Sequence, residues 1–534
     1  MPAGINLLIV KKTLKLGFLK RNMHMNPAKP IFCFLFLLVC FRLTAQNPVG
    51  PTTLAIKGDS SGPVISRYIY GHFSEHLGRC IYDGFWTGDH IRMDIVAALK
   101  KIKVPVLRWP GGCFADQYHW RDGIGPRGQR KKTVNSTWGM VTEDNSFGTH
   151  EFLELCNLLG CQPYVAGNVG SGTPEEMSNW LEYLNFKGKS TLADQRRQNG
   201  REEPWNVSFW GVGNESWGCG GSMTPEYYSG EYNRYAEFCK NYPGAPLKLI
   251  ASGANGPDYN WTEVVMKNIS TDRTWGLSMH YYTLAGSWEH KGAATNFGED
   301  DYFKALSACL RMETIVGKHS AIMDKYDPKK RVALVVDEWG IWTDAEPGTN
   351  PAFLYQQNSL RDALIAATTL NIFNNHADRV KMAALAQTVN VLQALILTDK
   401  DKMLLTPTYH VFDLYKVHQD ARSLAIRVNS PNYSFGGGAI PAVNVSASRD
   451  SSGAVHISLV NLDPLKKITI RTSLPGITFK SIQGQVLTSP KFNDFNSFDQ
   501  PDKVKPVAFN GARKEGSDVT VELPAMSVVV LELK

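Results

Sequence analysis

The sequence contains no CxxC pair, no HExxH segment and no compact cysteine–histidine cluster, so the spacings that build zinc sites are missing and no metal is expected. No GxGxxG follows the first strand-like run, and GNVGSG at Gly167 has the wrong spacing and comes after the third run. That argues against a dinucleotide fold, and no cofactor is expected. Internal repeats and low-complexity tracts are lacking, and with 43% hydrophobic and 20% charged residues the composition is globular rather than disordered, coiled-coil or collagen-like. A net positive body is missing too. Lys+Arg number 57 against 50 Asp+Glu, but the first 45 residues hold seven of the basic residues and no acid, which leaves 50 against 50 in the remainder. A surface for nucleic acid is therefore not expected.

What is present begins with an 11-residue apolar run, Ile31–Phe41, behind basic residues and ahead of Arg-Leu-Thr-Ala-Gln. It is too short to span a bilayer as a helix and reads as a secretory leader over residues 1–45, cut after the small Ala45. Export to the periplasm or the outside is expected. A lipid anchor on Cys40 is the less favoured alternative, because Val39 precedes it, and translation from Met23 or Met25 fits the leader better than Met1. No later segment is apolar for long enough to cross a membrane. Seven of the nine cysteines follow the leader: Cys80, Cys113, Cys156, Cys161, Cys219, Cys239 and Cys309. Their odd number requires at least one free thiol, and buried unpaired cysteines are the favoured expectation.

At 534 residues the chain has room for a large domain and a smaller one. From about 64 to 418, eight short β-prone runs alternate with helical patterns: Ile65–Phe73, Val104–Arg108, Pro163–Asn168, Phe209–Asn214, Leu247–Ser252, Gly276–His280, Val332–Asp337 and Val380–Gln387. Amphipathic stretches starting at His90, Pro225, Asp301 and Thr408 lie between or after them. Eight βα units in about 350 residues predict an α/β fold, a (β/α)8 TIM barrel with insertions, over residues 63–418. After 418, segments such as AVHISLVNL and KITIRTSL alternate on a period of two, which predicts a C-terminal antiparallel β-sandwich, jelly-roll-like, over 419–534. A strand in residues 46–62 is expected to join it.

Barrel chemistry sits at the C-terminal strand ends, so the residues that close each run are the candidates. They are Glu75, Arg108 followed by Cys113, Asn168, Asn214 with Glu215, His280 with Tyr282, Asp337 with Glu338, and Gln387. Glu215 and Glu338, on the fourth and seventh runs, form the kind of carboxyl pair that glycoside hydrolysis needs. One protonates the leaving oxygen and the other attacks the anomeric carbon or activates water. A single acid at a strand end, such as Glu75 or Asp337, is more often a helix cap or loop ion pair. Cys113 either packs beneath the pocket or lines it. Trp109, Trp217, Trp339 and Trp342 serve as rim packing or as sugar platforms.

The segments GHFSEHLGRCIYDG, VLRWPGGCFAD, WGVGNESWGCGG, SMHYYT, VVDEWGIW and HADRVKMAALAQTVNVL together resemble glycoside hydrolase family 51, the α-L-arabinofuranosidases, in order along the barrel. The resemblance implies a retaining, exo-acting enzyme that releases terminal α-L-arabinofuranose from arabinoxylan, arabinan or their oligosaccharides. Glu215 is then the general acid/base and Glu338 the nucleophile, with Glu75, Arg108, Cys113, Asn168, Asn214, His280, Tyr282 and Gln387 around the substrate. It also makes a homo-oligomer plausible. An endo-glucanase, xylanase or β-xylosidase on the same barrel, and a non-catalytic carbohydrate-binding protein, are the competing readings.

Overall fold

The computed structural model describes residues 51–59 and 62–534, so the leader expected over 1–45, with Cys40, lies outside the described residues. Eight parallel strands close on themselves: β1 (Gly71–Phe73), β2 (Val106–Trp109), β3 (Gln162–Gly167), β4 (Phe209–Val212), β5 (Lys248–Asn255), β6 (Thr274–Thr283), β7 (Ala333–Ile341) and β8 (Val380–Ala386), each paired with its sequence neighbour and β8 with β1. One layer of the barrel interior is filled by Val106, Tyr164, Phe209, Ile250, Ala333, Val335 and Met382, so the pore is a packed core and only its mouth is free for chemistry.

The strand that opens the barrel is shorter than its apolar run. Ser66 Oγ accepts from the Tyr68 N–H, and residues Arg67–Tyr70 form a 3-10 turn before extension begins at Gly71. Such local side-chain bonds compete with the ladder. The helices follow their pattern more closely. Pro225–Phe238 starts with Thr224 capping the Tyr227 N–H and Pro225 in the first turn, and buries Tyr228, Tyr232 and Tyr235 on one face.

The C-terminal region forms two sheets. Five strands run in the order Ala425–Asn429, Thr53–Lys57, Ile468–Ser473, Asp518–Leu523 and Ala512–Glu515; six run Arg422–Ser423, Val443–Arg449, Val455–Asn461, Ser527–Leu533, Ile482–Thr488 and Val507–Ala508. The N-terminal strand Thr53–Lys57 pairs antiparallel with Ala425–Asn429 and parallel with Ile468–Ser473. Barrel and sheets meet at helix Leu360–Asn375, nearly all of which is buried. There Ser446 Oγ donates to Asn371 and accepts from Asn374, so a side-chain hydroxyl ties the helix to the sheet.

Candidate active site

Strand β7 carries one residue more than its neighbours where the chemistry lies. Against β6 the register steps from Ser278↔Val335 to His280↔Glu338, and against β8 from Val336↔Ala383 to Trp339↔Leu385. A bulge of this kind reverses the alternation of side chains beyond it. Val335, Asp337 and Glu338 therefore face the barrel interior, while Trp339 turns out to pack on Phe373 and Phe412. Trp339 is consequently barrel packing and no sugar platform, as is Trp109, buried against Phe152.

Glu338 is fixed at both oxygens. Arg108 Nη1 donates to Oε1 at 2.7 Å and the Tyr282 hydroxyl donates to Oε2 at 2.8 Å. The guanidinium also donates from Nη2 to Asn214 Oδ1 at 2.6 Å, so one buried cation orients both the carboxylate and the amide beside Glu215. Opposed carboxylates raise the Arg108 pKa despite its burial. Gly112 passes so close that a Cβ there would lie 2.5 Å from Glu338 Oε1, which explains a glycine at this point of the second loop.

Glu215 follows β4 in the left-handed region, φ 40°, a conformation costing a non-glycine residue about 1–3 kcal/mol. Its carbonyl accepts from the Gly218 and Gly220 N–H groups, and the Ser216 N–H donates to Ser252 Oγ, so the turn that holds it is over-determined. His280 Nδ1 lies 2.9 Å from Glu215 Oε1 and 3.6 Å from Glu338 Oε2. One oxygen of Glu215 and one of Glu338 are within 4.8 Å of each other. Burial raises the Glu215 pKa, His280 opposes that, and Glu338 adds to it. Desolvation is thus the leading cause, ahead of the neighbouring carboxylate.

Glu75 anchors the second loop from beneath. Its Oε1 accepts from the Gly112 and Phe114 N–H groups, Gln387 Nε2 donates to Oε2 at 3.2 Å, and Gln387 Oε1 accepts from the Glu75 N–H. Burial, with Glu338 adding, pushes its pKa up to about 7. Asn168 stands apart from the carboxylates: Oδ1 accepts from the Ser171 and Gly172 N–H groups, and Nδ2 donates to the Tyr118 carbonyl and Ser171 Oγ. It ties its own loop together.

Cys113 and Cys219 form a disulfide across 106 residues of sequence, while Cys80, Cys156, Cys161, Cys239 and Cys309 are free and buried. The expectation of unpaired cysteines thus holds for five and fails for two. The failure has a plain cause: the second and fourth loops converge at the mouth, and sequence distance carries no sign of that. Both sulfurs face Glu215 Oε2, at 3.8 and 3.4 Å. Closing a loop of this length removes about 2–5 kcal/mol of unfolded-chain freedom, so a dithiol reductant is expected to lower the Tm of the wild type and leave that of Cys113→Ala/Cys219→Ala unchanged.

Toward solvent, Tyr282 meets Trp342 edge-on at 5.1 Å, and Trp342 meets Trp288 at 5.5 Å. Trp288, in the loop after β6, is 54% exposed. It belongs to no strand-end motif and escaped the sequence reading. Trp217, partly buried, donates from Nε1 to the Gly253 carbonyl.

A profile described as the alpha-L-arabinofuranosidase 1 domain matches residues 98–297, and one described as the alpha-L-arabinofuranosidase C-terminal domain matches 337–527. An intracellular exo-alpha-L-arabinofuranosidase of Bacteroides ovatus is 49% identical over 516 residues, 95% of this chain and the whole of that relative. The chain belongs to glycoside hydrolase family 51. Among solved structures, the family 51 arabinofuranosidase of Xanthomonas axonopodis pv. citri is 50% identical with a TM-score of 0.89, covering 90% of this chain and 100% of that one. The alpha-L-arabinofuranosidase of Thermotoga maritima, an arabinose complex, is 31% identical with a TM-score of 0.79, covering 90% and 99%. This family 51 chain is an α-L-arabinofuranosidase with a TIM barrel. The same comparison corrects the expectation of export. The Bacteroides ovatus relative, matched over its whole length, is named intracellular. A short apolar run behind basic residues is a pattern of composition, and it does not by itself make a segment an address.

Proposed function

We propose that this family 51 enzyme removes terminal α-L-arabinofuranose from arabinoxylan, arabinan or their oligosaccharides by double displacement, with Glu338 as nucleophile and Glu215 as acid/base. The observation that carries the reading is the short approach of the two carboxyls, with one oxygen of each within 4.8 Å, which is compatible with the roughly 5–5.5 Å spacing of retaining enzymes. In the first step a Glu338 oxygen bonds to C1 as the C1–O bond to the aglycone breaks, and the Glu215 proton passes to the departing oxygen. In the second, water attacks C1, gives its proton to Glu215, and the ester bond to Glu338 breaks.

Charge balance supports this cycle. Arg108 and protonated His280 face Asp337 and Glu338, so these four charges balance while Glu215 carries its proton. Once Glu338 is an ester, Glu215 is the ionised member and neutrality returns. Asn214, its oxygen taken by Arg108 and one amide hydrogen directed at Cys219 Sγ, has its other amide hydrogen for a sugar hydroxyl, and Glu75 with Gln387 offers the opposite wall. The disulfide, with sulfurs on Glu215, would form an apolar side of the same pocket.

Beyond the arabinose, the edge-to-face series Tyr282, Trp342 and Trp288 runs from the nucleophile to solvent and suits the flat, partly apolar rings of a neutral polysaccharide chain. Release of arabinose from 4-nitrophenyl α-L-arabinofuranoside and from linkage-defined oligosaccharides, followed by NMR of the first-formed anomer, tests the reading. The α anomer is expected, and the β anomer would overturn it. Trp288→Ala is expected to raise KM on arabinoxylan oligosaccharides about 2- to 12-fold, the worth of one stacked ring, with kcat/KM on the aryl glycoside unchanged. An equal effect on both would remove Trp288 from aglycone binding. A homo-oligomer remains part of the proposal.

A further inference from the structure

Asp337 is buried, is neither of the two reacting carboxyls, and faces the interior in step with Ala333 and Val335, with the bulge in β7 placing Glu338 beside it. Its Oδ2 accepts from the Tyr164 hydroxyl at 2.7 Å and lies 3.6 Å from Arg108 Nε. Its Oδ1 faces His280 Nε2 at 3.2 Å and has no other hydrogen-bond partner. A buried carboxylate oxygen without a donor is costly, so this contact calls for a proton on Nε2. The other ring nitrogen points at Glu215 Oε1. The three side chains thus form a row, Asp337–His280–Glu215, ending on the acid/base.

We propose that Asp337 is a positioning residue for glycoside cleavage: it holds His280 as an imidazolium that donates from Nδ1 to Glu215 Oε1, leaving Glu215 Oε2 to carry the proton exchanged with substrate. This rests on the reading of Glu215 as acid/base. The groups facing the ring from every side agree in sign. Glu215 comes from the fourth strand end, Asp337 and Glu338 from β7, while Arg108 from β2 and Tyr282 from β6 reach it only through those carboxylates. Glu75, from the end of β1, stands behind Glu338, and burial with that neighbour's charge favours its protonated form. Burial alone would lower the His280 pKa; Glu338, Asp337 and Glu215 outweigh it and bring it up to about 10, so the ring loses its charge only as pH rises through that value. Asp337 itself is held below the usual range, because Arg108 and His280 outweigh its burial.

An imidazolium at this place has a mechanistic effect that a neutral ring lacks. It keeps Glu215 acidic enough to protonate a sugar alkoxide although burial works against ionisation, and it stabilises the Glu215 carboxylate of the second step. With Asp337 neutralised, the ring would give up its second proton at a lower pH, and above that pH Glu215 would lose the charge-assisted bond from Nδ1.

The test is 15N NMR of the His280 ring in substrate-free wild type and in Asp337→Asn, with kinetics alongside. In the wild type both nitrogens are expected protonated from pH 5 to 9; a deprotonated Nδ1 at pH 7 would overturn the proposal even if no variant folds. Asp337→Asn is expected to bring the ring midpoint down by about 1–3 units, as loss of a contacting opposite charge does, and to slow oligosaccharide cleavage more than aryl glycoside cleavage. In a His280→Gln background the same substitution should have no further effect on either substrate. A full loss persisting there, or an unmoved ring midpoint, would make Asp337 a structural residue only. The ring titration is read without substrate, so it stands or falls apart from the assignment of Glu215.

Discussion

Glu338→Ala is expected to lower kcat on 4-nitrophenyl α-L-arabinofuranoside by on the order of 10⁴-fold or more, the scale of losing a nucleophile. No other group in the pocket can take its place. Arg108 and Tyr282 both donate to Glu338 and cannot attack carbon. Glu75 and Asp337 are the other carboxyls at the site, but the oxygens of Glu75 are spent on the Gly112 and Phe114 N–H groups and on Gln387, and those of Asp337 on Tyr164 and His280. Two consequences separate a chemical loss from a folding one. Removing the carboxylate leaves the buried Arg108 short of a partner, which costs about 3–5 kcal/mol when nothing replaces it, so a lower Tm is expected alongside a folded protein. Azide should enter the space of the lost side chain and yield the β-glycosyl azide, since it attacks from the face Glu338 occupies. An α-azide, or residual turnover above about 1% (two decades over the expected 10⁴-fold loss), would assign the nucleophile elsewhere.

How much of this was legible beforehand differs residue by residue. The barrel was, because each strand is a buried parallel strand and reads as a continuous apolar run; the polar residue that closes each run then marks the mouth. Glu215, Glu338, Arg108, His280 and Tyr282 were found in that way and the structure brings them together. Three features were not. The bulge in β7 leaves the local composition unchanged, so nothing in VVDEWG tells that Asp337 and Glu338 share the interior while Trp339 leaves it. The Cys113–Cys219 bond depends on two loops meeting across the barrel mouth. Trp288 lies in a long loop with no periodicity to place it. Asn168 is the opposite case. Its position at a strand end marks it as a pocket residue, yet its side chain is consumed by bonds to Ser171, Gly172 and Tyr118, a common fate for asparagine in a turn.

Glu215→Ala should divide substrates by leaving group. An aryl glycoside with a 4-nitrophenolate leaving group departs without protonation, so glycosylation of Glu338 is expected to stay within about 10-fold of wild type, whereas a sugar alkoxide needs the proton and should lose about 10²–10⁴-fold, the usual range for a general acid. The second step then suffers for both, because water attacking the ester has no base. The aryl substrate should therefore show a burst of nitrophenol followed by a slow steady state, and azide should restore the steady state while giving the α-azide, the product opposite to that of Glu338→Ala. The pH profile carries the same information. Burial holds the Glu215 pKa above its ordinary value, so wild-type kcat/KM on oligosaccharides falls as pH rises through that pKa and the proton is lost; in the alanine variant this alkaline limb should vanish from the aryl substrate's profile. Losses of equal size on aryl and sugar leaving groups, with the alkaline limb intact, would assign the proton to another residue, and His280, 2.9 Å from Glu215, would be the next to test.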